Sequence, residues 1–341
     1  MRKSKAASAL RRNKVRLGMM RHLYIVIDMS ESMLDLDLKP ARIAVTLKLL
    51  ESFLEQFFDQ NPISQVGLIT TRDKRAEKVT ELNGSGKVLL TGLKKVLPAS
   101  CKGEPSVQNA LELALGNLRN LPKHTSKEVL ILMGSLTTCD PSDINTTIKA
   151  CVEHNVRCSV VGLSAEVMVL KRLAKETKGS YGVILDEHHF KELLNAHLLP
   201  PPASVSTESS LIRMGFPTPV AEAVPSMCVC HLTSNTNFSR NGYFCPQCHS
   251  KYCDLPVECQ ICGLTLVSSA HLARSYHHLF PVDPATEDPH SGTCFSCTTA
   301  VDSGFRCSSC SQFFCRDCDT FIHESLHVCP GCASKAAPVN P

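Results

Sequence analysis

Twelve of the chain's 19 cysteines stand in six C-x2-C pairs beyond residue 240. Such a pair on a tight turn aims two sulfurs at one point. Two pairs satisfy Zn2+, which takes four soft ligands in a tetrahedron. The first set lies in CPQCHSKYCDLPVECQICG, as Cys245-x2-Cys248-x10-Cys259-x2-Cys262, and is expected to hold one ion. Gly263 follows directly and suits a turn whose amides face the sulfurs. Cys253 falls between the pairs and is expected to be an uncoordinated thiol. A rival set would join Cys259 and Cys262 to His271 and His277, but it would strand Cys245 and Cys248. No role is read for Cys228 and Cys230.

The remaining pairs lie in CFSCTTAVDSGFRCSSCSQFFCRDCDTFIHESLHVCPGC. Only four residues separate the second pair from the third, so an interleaved arrangement is natural, as in RING-type modules. Cys294, Cys297, Cys315 and Cys318 would hold one ion, and Cys307, Cys310, Cys329 and Cys332 another. Sequential sharing is the alternative. His323 and His327 are surplus and expected on the surface. Three Zn2+ ions are thus expected in all. A module of about forty residues buries too little surface to fold alone, whereas one structural Zn2+ site contributes about 10–16 kcal/mol. Four protein ligands leave no open position for water, so the expected role is structural and not catalytic.

A second constellation is Asp28-Met29-Ser30-Glu31-Ser32, at the end of the apolar run HLYIVID. One carboxylate and two hydroxyls on a single turn is hard-oxygen chemistry of the kind Mg2+ uses. The motif resembles the metal-ion-dependent adhesion motif of von Willebrand A (vWA) domains. By that resemblance the family's threonine falls at Ser106 and its second aspartate at Ser135. The missing carboxylate makes Mg2+ binding an unfavoured expectation. In the plainer reading Asp28, Ser30 and Ser32 hydrogen-bond the loop and cap the following helix. No phosphate-binding glycine loop, nucleophile elbow or H-E-x-x-H occurs, so neither catalysis nor a small-molecule substrate is expected.

The elements that position these residues alternate. Strands are expected at 22–28, 64–71, 127–135, 156–163 and 180–185. Helices are expected over 39–60, with Pro40 in the first turn; over 105–121, capped by Ser106; and over 141–155, 166–179 (closed by Gly179) and 187–199. Repeated β-α units require a mostly parallel, doubly wound α/β sheet. The domains are therefore a basic arm at 1–20 expected to be disordered, an α/β domain at 21–199, and a linker at 200–240 with a docked LIRMGFP segment. A four-cysteine finger at 241–283 and an eight-cysteine RING-like domain at 290–335 complete the chain. Cys101, Cys139, Cys151 and Cys158 are scattered and expected to be buried thiols.

Residues 1–24 carry eight basic side chains and no acidic one; removing them leaves 28 basic against 32 acidic residues, a net charge of −4. The arm reads as a solvated tail, a nuclear address or a nucleic-acid contact, and more weakly as a mitochondrial presequence. No apolar segment approaches a membrane span, and no secretory signal is present, so metal and not disulfides is expected of the cysteines. Residues 245–262 hold one Lys, two acids and no Arg, which gives no basic face for DNA.

RLGMMRHLYIVID, DQNPISQVG, LTTCDPSDI, LIRMGFP, GYFCPQC and CGLTLVSSAHLARSYHHLFP together resemble the vWA- and zinc-containing subunit family of the transcription and DNA-repair factor TFIIH. The resemblance runs from about Arg16 to Cys332. It implies a nuclear, non-enzymatic protein whose vWA domain binds and stimulates the XPD helicase subunit. Its RING-like domain would contact a second vWA subunit and other core subunits, and DNA would be met only through the complex. The alternative is a RING-type ubiquitin ligase with a vWA substrate-binding domain. Val328 and Pro330 keep it open, but no Arg or Lys lies between Asp317 and Cys332 to serve as a linchpin.

Overall fold

The computed structural model describes residues 20–121, 125–201, 213–231, 238–279 and 282–336. All but the last residue of the expected basic arm lies outside them. The chain forms two compact units, Met1–Leu272 and Ala273–Pro341.

The first unit is built on strands β1 (Arg21–Asp28), β2 (Gln65–Arg72), β3 (Arg75–Asn83), β4 (Ser126–Met133), β5 (Val156–Gly162) and β6 (Tyr181–Val183). Their order is β3-β2-β1-β4-β5-β6. Only β3 runs antiparallel to its neighbour. Helices α1 (Arg42–Gln60), α2 (Gly86–Lys94), α3 (Val107–Leu118), α4 (Ile144–Glu153), α5 (Met168–Glu176) and α6 (Glu187–Asn195) cover both faces. The two-residue period of β1 divides the core, because successive strand side chains point to opposite faces. Leu23, Ile25 and Ile27 pack with Phe53, Phe57, Leu89 and Phe190 on one face. Tyr24 and Val26 pack with Leu111, Leu118, Ile148 and Leu173 on the other. This is the doubly wound, mostly parallel α/β fold.

Local differences from expectation have simple causes. The first helix begins at Arg42 with Ala41 as its N-cap, so Pro40 precedes it instead of filling its first turn. Ser106 does cap α3, accepting from the Asn109 amide. After α5 the left-handed position is Lys178 (φ +59°). Gly179 is needed for a different reason: a Cβ there would stand 1.8 Å from the Cys158 carbonyl oxygen. The sequence predicts neither β3 nor α2; in β3, RAEKVTELN sets Ala76, Val79 and Leu82 among charged residues and divides them between the two cores, so no continuous apolar face marks the strand.

Beyond the sheet the first unit continues through β7 (Met214–Gly215), β8 (Pro219–Ser226), β9 (Ser239–Phe244), β10 (Lys251–Tyr252), β11 (Val257–Glu258), β12 (Thr265–Leu266) and the start of α7 (Ser269–Leu279). β7, from the LIRMGFP segment, pairs parallel with β12. Strands β8, β9 and β10 form an antiparallel sheet where the sequence showed no pattern. The finger is tied to the α/β body by Lys87 with Asp254 (2.5 Å) and Gln65 with Glu258 (2.7 Å).

The second unit holds β13 (Thr286–Asp288), β14 (Gly292–Thr293), β15 (Ala300–Val301), β16 (Gly304–Arg306), β17 (Phe313–Phe314), α8 (Arg316–Phe321) and α9 (Pro330–Ala336). Its core is Phe314 and Ile322 packed among cysteines. No helix among the described residues is long and apolar enough to cross a membrane.

Candidate metal centres

One backbone turn recurs at four of the six cysteine pairs. At Cys245, Cys259, Cys294 and Cys307 the carbonyl accepts from the amide four residues on, at 2.8–2.9 Å. The amide of the same cysteine donates to the carbonyl five residues on, at 2.9–3.0 Å. The residue four on is left-handed each time: His249, Gly263, Thr298 and Ser311, with φ between +58° and +70°. Gly263 alone was legible as such, since the other three side chains rarely adopt that conformation. The remaining pairs open helices: Asp319 donates to Cys315 at the start of α8, and Ala333 to Cys329 at the start of α9.

These turns gather the sulfurs into three sets, Cys245/Cys248/Cys259/Cys262, Cys294/Cys297/Cys315/Cys318 and Cys307/Cys310/Cys329/Cys332, each with its sulfurs within 4.8 Å of one another. The last two sets interleave along the chain. A zinc–sulfur bond of about 2.3 Å makes the edge of a regular tetrahedron about 3.8 Å. Cys297–Cys315, Cys307–Cys332 and Cys310–Cys329 stand at 3.7 Å. Cys245–Cys262 is 3.5 Å and Cys248–Cys259 is 3.4 Å. All are far longer than a disulfide bond of about 2.04 Å. The sets have the size of a sulfur cage around one ion.

The electrostatics favour thiolates held by a cation. Burial raises the Cys259 thiol, but hydrogen bonds from Ser250, Tyr252 and the Cys262 and Ile261 amides outweigh it and bring it down to about 5. Burial likewise opposes the Cys307 thiol, yet the Cys310 and Ser309 amides lower it to about 7. In the same set burial, then Cys310 and Cys307, push Cys332 up to about 12. Four sulfurs this close cannot all ionise unless a positive charge sits among them.

Cys253 is not isolated. Its sulfur lies 3.0 Å from that of Cys228, which is 3.2 Å from that of Cys230. This fourth convergence went unread because Cys228 and Cys230 have C-x-C spacing and Cys253 lies 23 residues on. His271 joins none of the cysteine sets, and the His277 side chain lies outside the described residues. His323 pairs with Asp319 at 3.4 Å.

At the carboxyl rim of the sheet, Asp28 is fully buried and its oxygens are occupied. It accepts from the Ser30 amide at 2.8 Å and from the Gly134 and Ser135 amides at 2.9 Å each. Burial raises its pKa, with these amides opposing. Ser106 donates to Asp140 at 2.9 Å. The Ser32 carbonyl, like that of Gly134, accepts from Arg42, which is 7 % exposed and also gripped by Asp37. The rim therefore has a fixed guanidinium among its loops and three amides on its carboxylate. Leu34, at the end of a short 3-10 turn, and Leu36, Leu136 and Leu185 in loops are exposed on the segments leaving the carboxyl ends of β1, β4 and β6.

Taken together, the fold and sites define an α/β vWA-like platform followed by cysteine-caged modules. Residues 26–217 match the Ssl1-like family and residues 291–334 the TFIIH C1-like domain. Among relatives, general transcription factor IIH subunit 2 of Caenorhabditis elegans is 45 % identical over 332 residues, covering 97 % of this chain and 88 % of that one. Subunit 2 of Arabidopsis thaliana is 45 % identical, covering 95 % and 80 %. Subunit ssl1 of Schizosaccharomyces pombe, named for a transcription and DNA repair factor, is 40 % identical over 92 % and 79 %. The chain belongs to the Ssl1-like family. Solved structures similar to about half of the chain include the SpRpn10 VWA domain (17 % identical, 52 % of this chain and 94 % of that one, TM-score 0.43). The TFIIH p34 N-terminal domain is another (15 % identical, 52 % and 97 %, TM-score 0.40).

Proposed function

We propose that the chain is a non-catalytic subunit of a TFIIH-type complex, acting in the nucleus in transcription initiation and nucleotide excision repair. The observation that carries the reading is identity of 45 % along 97 % of the chain to a protein named as subunit 2 of that factor. In this reading the vWA-like body binds an XPD-type helicase and stimulates its unwinding. The apolar rim around Leu36, Leu136 and Leu185 offers it a surface. The cysteine modules hold a second vWA subunit and other core subunits, and DNA is reached through the complex.

Zn2+ would be held by the three four-cysteine sets. Each set supplies all four ligands from its own turns and helix starts, so the ion staples chain segments and leaves no position for a reacting water. Asp28 is engaged by backbone amides and Arg42 by carbonyls and Asp37, which supports a rim that works as a packing surface and not as a Mg2+ site. The test is co-expression with an XPD-type helicase, then unwinding assays with and without the chain. Co-purification and a several-fold higher unwinding rate are expected. Failure to associate contradicts the proposal. Ubiquitin chains built by the protein with a conjugating enzyme would favour the ligase alternative.

A further inference from the structure

We propose a fourth zinc site, formed by Cys228, Cys230 and Cys253. Their three sulfurs lie within 4.8 Å of one another. Cys228 to Cys253 is 3.0 Å and Cys228 to Cys230 is 3.2 Å, too long for a disulfide bond and somewhat inside the edge of a zinc tetrahedron. The amide of Cys253 donates to the Cys230 sulfur, an N–H···S bond of the same kind as those at the other three sets.

The plainer reading is three ordinary packed thiols, and two features oppose it. Cys230 is exposed, whereas a cysteine acting as a small apolar residue is buried. Cys151 on α4 and Cys158 on β5 show that ordinary case, a pair buried between helix and sheet. The segment has little apolar support: β8 is held by its pairing with β9 and by Lys251 donating to Glu222 and Ser226. β8 has no buried residue along its eight positions, and from the turn at Val229–His231 the half-buried Val229 packs on the finger's small core. Three thiolates around one ion would clip that turn to the end of β10. The ligand class is a soft or borderline divalent cation, and Zn2+ suits it as it suits the neighbouring sets. The fourth position would fall to water. This site is independent of the proposed role in a complex.

The test is metal analysis of the full-length chain together with mapping of thiol alkylation. Four zinc ions per chain are expected, and Cys230 should alkylate at least tenfold more slowly than a solvated thiol until a zinc chelator is added. Cys253→Ser should lower the count to three and release Cys228 and Cys230 while the other twelve clustered cysteines stay protected. If that variant does not fold, the wild-type protection map decides alone. Three ions with rapid labelling of Cys230, or a Cys228–Cys253 disulfide in freshly prepared protein, would overturn the site.

Discussion

Arg21 is completely buried at the start of β1 and gives the sharpest stability prediction. Its guanidinium donates to both oxygens of Glu128 at 2.8 Å, and to the carbonyls of Leu198 and His197 at 2.8 Å each. It also lies 4.7 Å from the centre of the Phe57 ring. One side chain thus joins β1, β4, α1 and the segment after α6. Arg21→Met leaves the Glu128 carboxylate in the interior with Ser126 as its remaining side-chain donor. Breaking one half of a buried pair costs about 3–5 kcal/mol. With a urea m-value of about 2 kcal/mol/M, the unfolding midpoint should fall by about 1.5–2.5 M. Arg21→Met with Glu128→Leu should recover about 2 kcal/mol of this, because no charge is then stranded. Asn61 still serves the Leu198 carbonyl, so the residual loss is the unmet His197 carbonyl, about 1–3 kcal/mol.

The pH dependence has a definite sign. Burial raises the Glu128 pKa, but Arg21 outweighs it and holds it below the ordinary value. The pair therefore stabilises above the unfolded carboxyl pKa of about 4.3, and that stability is lost as pH falls through the folded value. Without Arg21 the main force opposing burial is gone, with Ser126 and His197 left as the lesser ones, and Glu128 takes up a proton more readily. The gap between wild type and Arg21→Met should therefore narrow from pH 7 to pH 5. Urea unfolding of the full chain, followed by far-UV circular dichroism, reads both effects. A single variant within 1 kcal/mol of wild type, or a double variant less stable than the single, refutes the reasoning.

Gly179→Ala should destabilise the α/β unit by about 1–3 kcal/mol, since the new Cβ meets the Cys158 carbonyl and not a movable side chain; an unchanged thermal midpoint would contradict this. Ser311→Gly, at φ +60° in a cysteine turn, should stabilise the second unit by about 0.5–1 kcal/mol, seen as slower zinc loss to a chelator; faster loss would count against the turn geometry. Asp28→Ala strands three amides and should cost about 2–4 kcal/mol, equally with and without millimolar Mg2+. A midpoint of the wild-type protein that rises with Mg2+ would show the rim to be a metal site.

What the sequence made legible follows from how local each signal is. HLYIVID marked a buried strand because it is apolar on both faces, and C-x2-C pairs marked metal chemistry because their ligands are neighbours in the chain. β3 was invisible, as a sheet-edge strand needs little apolar surface. The cluster of Cys228, Cys230 and Cys253 needed the β9–β10 hairpin to bring its parts together, and no short-range spacing encodes that. His249, Thr298 and Ser311 hide their left-handed turns behind ordinary side chains. At the rim, D-x-S-x-S suggested an ion, and only the folded loops show amides engaging Asp28 and Arg42 tying the loops together.

The central claim is that sulfur cages, and not a large apolar core, hold the second half of the chain in shape. Zinc-edge X-ray absorption of the purified full-length protein tests it most directly. The account predicts a first shell of nearly four sulfurs per zinc at about 2.3 Å. A shell averaging two or more nitrogen or oxygen donors per zinc, or folded protein without zinc, would contradict it.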